Sequence, residues 1–504
     1  MYIHYSNVFS IAKSKLNHLI INGSEDGISL ASVEAECNGV SVYGSRQGIT
    51  MFNSTVNISD CTFSWTDAFA FRLAGSNMVA LSHCLVEGGE YGIYSDSIHH
   101  WLSITDCTFR NITASAIRLI DRYVHTVMPA TLRLHRNLFS GSTRAVHVDQ
   151  NVGDDILVDV TNNVIESASM NARNEDSGIS TSGVYINLEA VGSQAHVKLQ
   201  GNTFQSLPYS AVSISRCHGS LLLGNHSTTI IGNNFTDTSH TAVVIACANT
   251  SSMLIQSNTF LENTMTIGPS CLDISSGEGG NGSVTELRID RNEFRENSGT
   301  YVVRIVAPVW STLLASGDIA GSSEFVSNTL VDNFPLDSTV YSENSYLRMH
   351  FNTFSNQRAR FELRIGFPPD QVANCTFNWW GTSSEDGVAM RIFDHMDMAS
   401  LGSVEYLPFL NSSTSQFSCA ALSDCSGHGS CIYSDTCLCG DGWSGSDCSR
   451  YSCADIYECS GRGQCVGPNL CQCDNGWLPD DCSRASCILR NNCSNRGVCS
   501  LPNV

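Results

Sequence analysis

No twenty-residue apolar run occurs anywhere in this 504-residue chain. The most apolar stretch, Val302–Ala315, is shorter than that and contains Arg304 and Pro308, so no segment is read as a membrane-spanning helix. Positive charge is also scarce. Lys and Arg number 27 against 48 Asp and Glu, a formal charge of −21. That balance repels nucleic acid, anionic lipid surfaces and polyanionic sugars. Helical periodicity is nearly absent, which excludes the α-solenoids. Met1–Ser10 lacks the apolar core of a secretory leader.

Cysteine, in contrast, is plentiful and ordered. Cys419, Cys425, Cys431, Cys437, Cys439 and Cys448 follow C-x5-C-x5-C-x5-C-x-C-x8-C. Cys453, Cys459, Cys465, Cys471, Cys473 and Cys482 repeat the pattern 34 residues on, and Cys487, Cys493 and Cys499 begin a third copy. A unit of about thirty residues buries too little surface to fold on a hydrophobic core alone. Disulfides must replace the core, and they persist outside the reducing cytosol. An extracellular chain needs a leader, so the natural start is expected upstream of Met1, and the third repeat is expected to continue beyond Val504. Spacing by itself leaves fifteen connectivities open for each complete repeat.

The motifs Cys425-Ser-Gly-His-Gly-Ser-Cys431 and Cys439-Gly-Asp-Gly-Trp-Ser-Gly-Ser-Asp-Cys448 resemble EGF-like repeats of the tenascin and teneurin kind, as do their counterparts from Cys459 and Cys473. The resemblance implies pairing of first with third, second with fourth and fifth with sixth cysteines. Carried over, the expected bonds are Cys419–Cys431, Cys425–Cys437, Cys439–Cys448, Cys453–Cys465, Cys459–Cys471, Cys473–Cys482 and Cys487–Cys499. Zinc is disfavoured at Cys437-x-Cys439, since zinc sites use C-x2–4-C pairs. Calcium-binding modules need carboxylates before the first cysteine. Gln416-Phe417-Ser418 and Arg450-Tyr451-Ser452 stand there, so no calcium is expected. Gly427-His428-Gly429 is read as a turn, because Gly461-Arg462-Gly463 replaces it in the next repeat.

A different repeat precedes Cys419. An apolar β-former is followed by Asn or Cys, any residue, then Phe or an aliphatic. Examples are Ile58-Ser-Asp-Cys61-Thr-Phe63, Leu134-His-Arg-Asn137-Leu-Phe139 and the pairs Asn202/Phe204, Asn233/Phe235, Asn258/Phe260, Asn292/Phe294 and Asn352/Phe354. Each is followed by an alternating strand such as Ala116-Ile-Arg-Leu119 or Ala145-Val-His-Val148. A period of roughly 22–40 residues signals a solenoid whose coils share one core. The recurring Asn suits a bend, tolerates left-handed backbone and, stacked in register, forms an internal ladder. The fold class is therefore all-β: a right-handed parallel β-helix similar to the pectate-lyase-like superfamily, followed by a tandem array of disulfide-rich EGF-like domains.

The predicted domains are a β-helix of about twelve or more coils over residues 1–377 and a cap of one short helix and a strand over 378–410. A linker at 411–418 leads to EGF-like domains at 419–448, 453–482 and, truncated, 487–504. The capped helix is expected from Ser383 onward, with Met390, Ile392, Phe393 and Met396 on its apolar side. A loop is expected around Met170–Gly183. Cys37, Cys61, Cys84 and Cys107, spaced 24, 23 and 23 residues apart, are expected to stack on successive coils, either bonded or as buried thiols. The pairing of Cys217, Cys247, Cys271 and Cys375 is left open. Together the Asn-x-Phe coils, Trp379-Trp380-Gly381, Arg391-Ile-Phe-Asp394 and Tyr406-x-Pro-Phe-Leu410 resemble the β-helix units of the metazoan protein bark beetle family, large membrane-anchored proteins of cell–cell junctions.

Fold alone does not imply activity. A glycosidase needs two facing carboxylates. Asp60 and Asp106 share a coil position, but His83 lies between them. Asp154-Asp155, Glu175-Asp176 and His99-His100 beside Trp101 read as solvated surface. No catalytic residue, cofactor or metal is expected. Sequons at Asn22, Asn53, Asn57, Asn111, Asn225, Asn234, Asn249, Asn281 and Asn411, with Asn-Cys-Ser/Thr at Asn374 and Asn492, are candidate glycan acceptors. The expected function is non-enzymatic: an extracellular or cell-surface fragment serving adhesion or cell–cell junction organisation through protein or glycan binding, from a protein secreted or anchored by a single pass. The alternatives are a polysaccharide lyase or hydrolase and a soluble matrix component. No nucleic-acid partner is expected.

Overall fold

In a computed structural model the described residues are 14–23, 25–96, 100–120, 130–150, 155–166, 181–188, 194–215, 226–247, 250–275, 284–306, 312–313, 319–320, 322–344, 347–413, 420–433, 436–439, 442–453, 459–477, 482–483 and 485. The chain divides into two compact units, Met1–Ser413 and Thr414–Val504.

The first unit is a parallel β-helix with three sheets. Each coil contributes a strand of four to seven residues to sheet 1, a three-residue strand to sheet 2 and a strand of four to nine residues to sheet 3. Sheet 1 runs from Ser14–Asn17 to Leu347–His350 and sheet 2 from Ile20–Asn22 to Thr353–Ser355, with thirteen strands each. Sheet 3 has fourteen strands, from Asp26–Ala31 to Ile392–Phe393. Strands alternate, so every second side chain enters one shared core. Sheet 2 donates a column of rings to it: Phe204 stacks on Phe235 at 5.0 Å, Phe235 on Phe260 at 4.9 Å and Phe260 on Phe294 at 4.7 Å. Each buried ring contributes roughly 1.5–3 kcal/mol.

The ladder forms, with one correction to its geometry. Nine asparagines stand on successive coils, Asn137, Asn163, Asn202, Asn233, Asn258, Asn292, Asn328, Asn352 and Asn378; Asn137 accepts the Cys107 N–H and each of the others the backbone N–H of the preceding asparagine, at 2.8–2.9 Å. The residue before each Asn, not the Asn itself, adopts left-handed backbone: Arg136 at φ 54°, Asn162 at 56°, Ser257 at 53°, Arg291 at 54°. The bend is made one residue early, which turns the amide inward. A second ladder runs from Thr238 through Asn263, Asn297, Asn333 and Asn356 to the fully buried carboxylate of Glu362.

Cys61, Cys84 and Cys107 occupy the first ladder's column in the earlier coils, and all are buried free thiols. Cys107 Sγ takes the Cys84 N–H at 3.4 Å, the role an Asn oxygen plays elsewhere. Cys37 does not join them. It pairs with Ile58, because its coil is only 21 residues long and the 24-residue spacing overshoots by three. Cys271 and Cys375 are also free, whereas Cys247 is disulfide-bonded. Cys217 lies outside the described residues.

The C-terminal end is closed by residues 378–410. Trp380 is fully buried and stacks on Phe354 at 4.9 Å. The helix is shorter than expected, Glu385–Ala389, with Ser384 as its N-cap accepting from the Gly387 N–H. Met390 ends it and is 70% exposed, and Met396 is 82% exposed. Ile392–Phe393 has left the helix to become the last strand of sheet 3, so only Val388 faces inward from the helix. Ser403–Glu405 pairs in parallel with Val372–Asn374. The expected loop at 170–183 lies outside the described residues up to 180; from Thr181 the chain is a strand of sheet 3.

In the second unit Cys425–Cys437, Cys439–Cys448, Cys453–Cys465, Cys459–Cys471 and Cys473–Cys482 are disulfides. Cys419–Cys431 and Cys487–Cys499 fall outside the described side chains. Among the described residues both repeats carry an antiparallel pair, Gly429–Tyr433 with Thr436–Cys439 and Gly463–Gly467 with Leu470–Cys473, and Trp443–Ser444 pairs with Arg450–Tyr451. His428 stacks on Trp443 at 3.4 Å, and the guanidinium of Arg462 lies 4.0 Å over Trp477 at the corresponding place.

Candidate functional site: the outer face of sheet 3

The three sheets present different chemistry to solvent. One outward column of sheet 1 reads Lys15, Glu36, Asn57, Ala80, Ser103 and Arg133 in its first coils, a mixture of charges and small residues. An outward column of sheet 2 is rich in threonine: Thr203, Thr259, Thr329 and Thr353 all occupy it. Sheet 3 differs. Its register places Arg72, Tyr94, Arg118, His147, Tyr185 and Ser213 on one outward column across six successive coils. Further along, the column carries Asp273, Arg304, Tyr341, Arg364 and Phe393. A neighbouring column contributes Phe69, Tyr91 and Arg144.

Alternation explains this placement. In Ala116-Ile-Arg-Leu119, Ala145-Val-His-Val148 and Gly183-Val-Tyr-Ile186 the third residue must point outward while its apolar neighbours fill the core. The coils approach closely at the small residue near the start of these strands: a Cβ on Gly92 would meet the Ala116 carbonyl oxygen.

The C-terminal half of the face is closed on itself. Arg304 forks onto Asp273 at 2.8 and 2.9 Å, Arg364 reaches Asp337 at 3.0 Å and lies 4.4 Å over Phe393, and Tyr341 donates to Glu343 at 2.7 Å. These pairs satisfy one another.

The N-terminal half is an aromatic and cationic cluster. Phe69, Tyr91 and Tyr94 pack with ring centroids 4.8–5.7 Å apart. Tyr94 donates to Asp96 at 2.7 Å, with Arg72 3.8 Å from that carboxylate. Arg118 donates from Nη1 to the Tyr91 hydroxyl at 2.8 Å and lies 5.5 Å over its ring. Burial raises the Tyr91 phenol above its ordinary value despite the opposing Arg118 charge. His147, almost fully buried, lies 2.8 Å from Asp149 through Nε2 and 3.3 Å from Arg144 Nη1 through Nδ1, with Tyr185 edge-on at 5.0 Å. Burial would raise Asp149, but hydrogen bonds from His147 and Asn187, with the Arg118 charge, hold it below the ordinary carboxylate value. Burial, with Arg118 alongside, lowers Arg144.

The residues singled out in the sequence fall elsewhere. Arg136 forks onto the Asp106 carboxylate with two bonds of 2.7 Å, and His83 lies 3.9 Å from it, so the Asp60/Asp106 stack is not a pair of facing carboxylates. Asp155 accepts the Gln194 N–H at 2.8 Å at the surface. Trp101 lies on the outer face of sheet 1. Asp154, Glu175, Asp176 and His99 are outside the described residues. Cys453, Cys459 and Cys471 have sulfurs close enough to hold a metal, but all three are bound in disulfides. The sequons Asn22, Asn53, Asn57, Asn111, Asn234, Asn374 and Asn411 are exposed, and none of these lies on a strand of sheet 3. Asn225, Asn249, Asn281 and Asn492 are outside the described residues.

Residues 2–165 match the family model described as right handed beta helix region. Residues 453–482 match an EGF-like domain. No curated protein and no solved structure matches the chain. A β-helix joined to a disulfide-rich EGF-like region points to an extracellular protein. Among the described residues no helix is long and apolar enough to cross a membrane.

Proposed function

We propose that this chain belongs to a non-enzymatic extracellular protein that serves adhesion or cell–cell junction organisation, and that it binds its ligand on the outer face of sheet 3. The observation that carries the reading is the concentration of Arg, Tyr and Phe on that one face, the residue types that dominate binding hot spots. Placement of the described sequons supports it, since any glycans there would shield sheets 1 and 2, the corners and the cap while leaving sheet 3 clear. The resemblance of the coils and cap to the junctional bark beetle family agrees with the same role.

Binding is favoured over catalysis by the state of His147. Its ring is almost fully buried beneath Tyr185, Arg144 and Asp149, so it does not face a substrate. The test introduces a glycan into the face. Ser213→Asn completes a sequon with Ser215 on the outward column. The secreted chain carrying it should lose at least tenfold in binding to a cell layer, whereas Asn57→Gln on sheet 1 should bind as the parent does. Equal binding by all three would refute the assignment to sheet 3. Shortening of a polysaccharide by the parent chain, abolished by His147→Gln, would replace binding with the enzyme reading.

A further inference from the structure

Resting on that reading, we infer that Arg118 is the point at which the sheet 3 face recognises a carboxylate, and that the ligand is an acidic segment of a protein.

Among the arginines of this face, Arg72, Arg304 and Arg364 each have a carboxylate within 4 Å. Arg118 has none among the described residues. Its one hydrogen bond goes to the neutral Tyr91 hydroxyl, and its Nε is buried with no hydrogen-bond partner. A buried donor left unsatisfied costs about 1–3 kcal/mol, and a guanidinium presents a planar fork suited to a two-oxygen anion. Two carboxylates of the chain lie in this neighbourhood: Asp149 is engaged by His147 and Asn187, and Glu90 acts on the Tyr91 hydroxyl. Tyr91 and Arg144 border Arg118 on the neighbouring column, and burial with the Arg118 charge disfavours the charged form of Arg144. An arriving carboxylate on the Nη edge of Arg118 offsets its charge beside Arg144. Phe69, Tyr91 and Tyr94 supply an aromatic floor beside it.

The field of the chain selects the class of ligand. A polyanionic sugar carries charge along its whole length, and the net charge of −21 opposes it over that length. A protein segment can carry one or two carboxylates among neutral and aromatic residues, and it meets that field only where Arg118 compensates it.

The experiment titrates two fluorescein-labelled peptides, Ser-Asp-Tyr-Asp-Ser and the matched Ser-Asn-Tyr-Asn-Ser, into the whole secreted chain, with a heparin octasaccharide as a third probe. The acidic peptide should bind at least fivefold more tightly than the neutral one. Arg118→Gln should abolish that preference and Arg118→Lys should restore part of it, with the strand circular dichroism of both variants unchanged. No preference in the parent, or one that survives Arg118→Gln, overturns the proposal. Arg118-dependent binding of the octasaccharide without the acidic peptide overturns it in favour of a glycan. Should Ser213→Asn abolish cell-layer binding while Arg118→Gln leaves binding and peptide preference intact, the face stands and carboxylate recognition falls.

Discussion

Replacing Asn258 by alanine measures what one rung of the ladder contributes. Its Oδ1 accepts the Asn233 N–H at 2.9 Å and the Asn233 side-chain amide at 3.0 Å. Its Nδ2 donates to Ile230 O at 2.8 Å and to Asn292 Oδ1 at 2.9 Å. Alanine removes all four bonds in a place water does not reach. Asn292 Oδ1 keeps the Asn258 N–H, but both Asn233 donors lose their acceptor and Ile230 O loses a donor. Two or three orphaned groups at about 1–3 kcal/mol each give a loss of about 4 kcal/mol. Asn234→Ala, an exposed neighbour, should change stability by less than ~0.5 kcal/mol. Asn258→Cys should cost about half as much as alanine, because the chain already uses a thiol as acceptor at Cys107. Urea unfolding followed by strand circular dichroism, with amide exchange at Asn233, reads all three. A loss for Asn258→Ala no larger than for Asn234→Ala would refute the ladder as a source of stability.

Three further outcomes are expected. Glu362 is wholly buried and burial raises its pKa, so its contribution is full below the ordinary carboxylate value of 4.5 and is lost as pH rises through the folded value. Glu362→Gln should flatten that fall in a melting series from pH 4 to 8, whereas Glu362→Ala, which strips acceptors from Asn356 and Thr339, should cost about 3–5 kcal/mol at pH 4, where the contribution is full. Gly92→Ala should destabilise by about 2 kcal/mol or prevent secretion, because the new Cβ meets the backbone oxygen of Ala116 rather than a movable side chain. Arg462→Ala should lower the stability of its EGF-like repeat by about 0.5–1 kcal/mol through loss of the contact with Trp477, measured by the repeat's susceptibility to reduction.

Period and alternation made the solenoid legible, because a coil is short and its inward positions are constrained by the same packing each time. The Asn ladder was legible for that reason, down to its burial. Its bend was displaced by one residue because left-handed backbone at Arg136, Asn162 or Ser257 leaves no single residue type at that position. The stack of cysteines failed at Cys37 because coil length varies, and a spacing counted along the chain is not a register. Met390 and Met396 misled because the helix ends after Ala389 and the chain returns to strand, where their spacing no longer defines a face. The sheet 3 cluster was missed altogether. Its signal lay in the third letter of each Ala-Ile-Arg-Leu-like strand, read down the coils rather than along them: Arg118, His147, Tyr185. Which outward residues meet depends on register, and register between coils of unequal length is set by the turns.

The orientation of the hydrogen bonds has a mechanical consequence. In a flat sheet pulled along its strands, many bonds share the load in shear. Here the bonds between coils run along the axis of the solenoid, so tension between its ends opens one coil junction at a time, against three sheets and the asparagine rungs acting together. Such an element extends in discrete steps, each releasing a loop of chain set by coil length, 21 residues between Val40 and Cys61 and 36 between Asn292 and Asn328. From Asn137 onward the asparagines therefore set a force threshold for each step as well as a structural repeat.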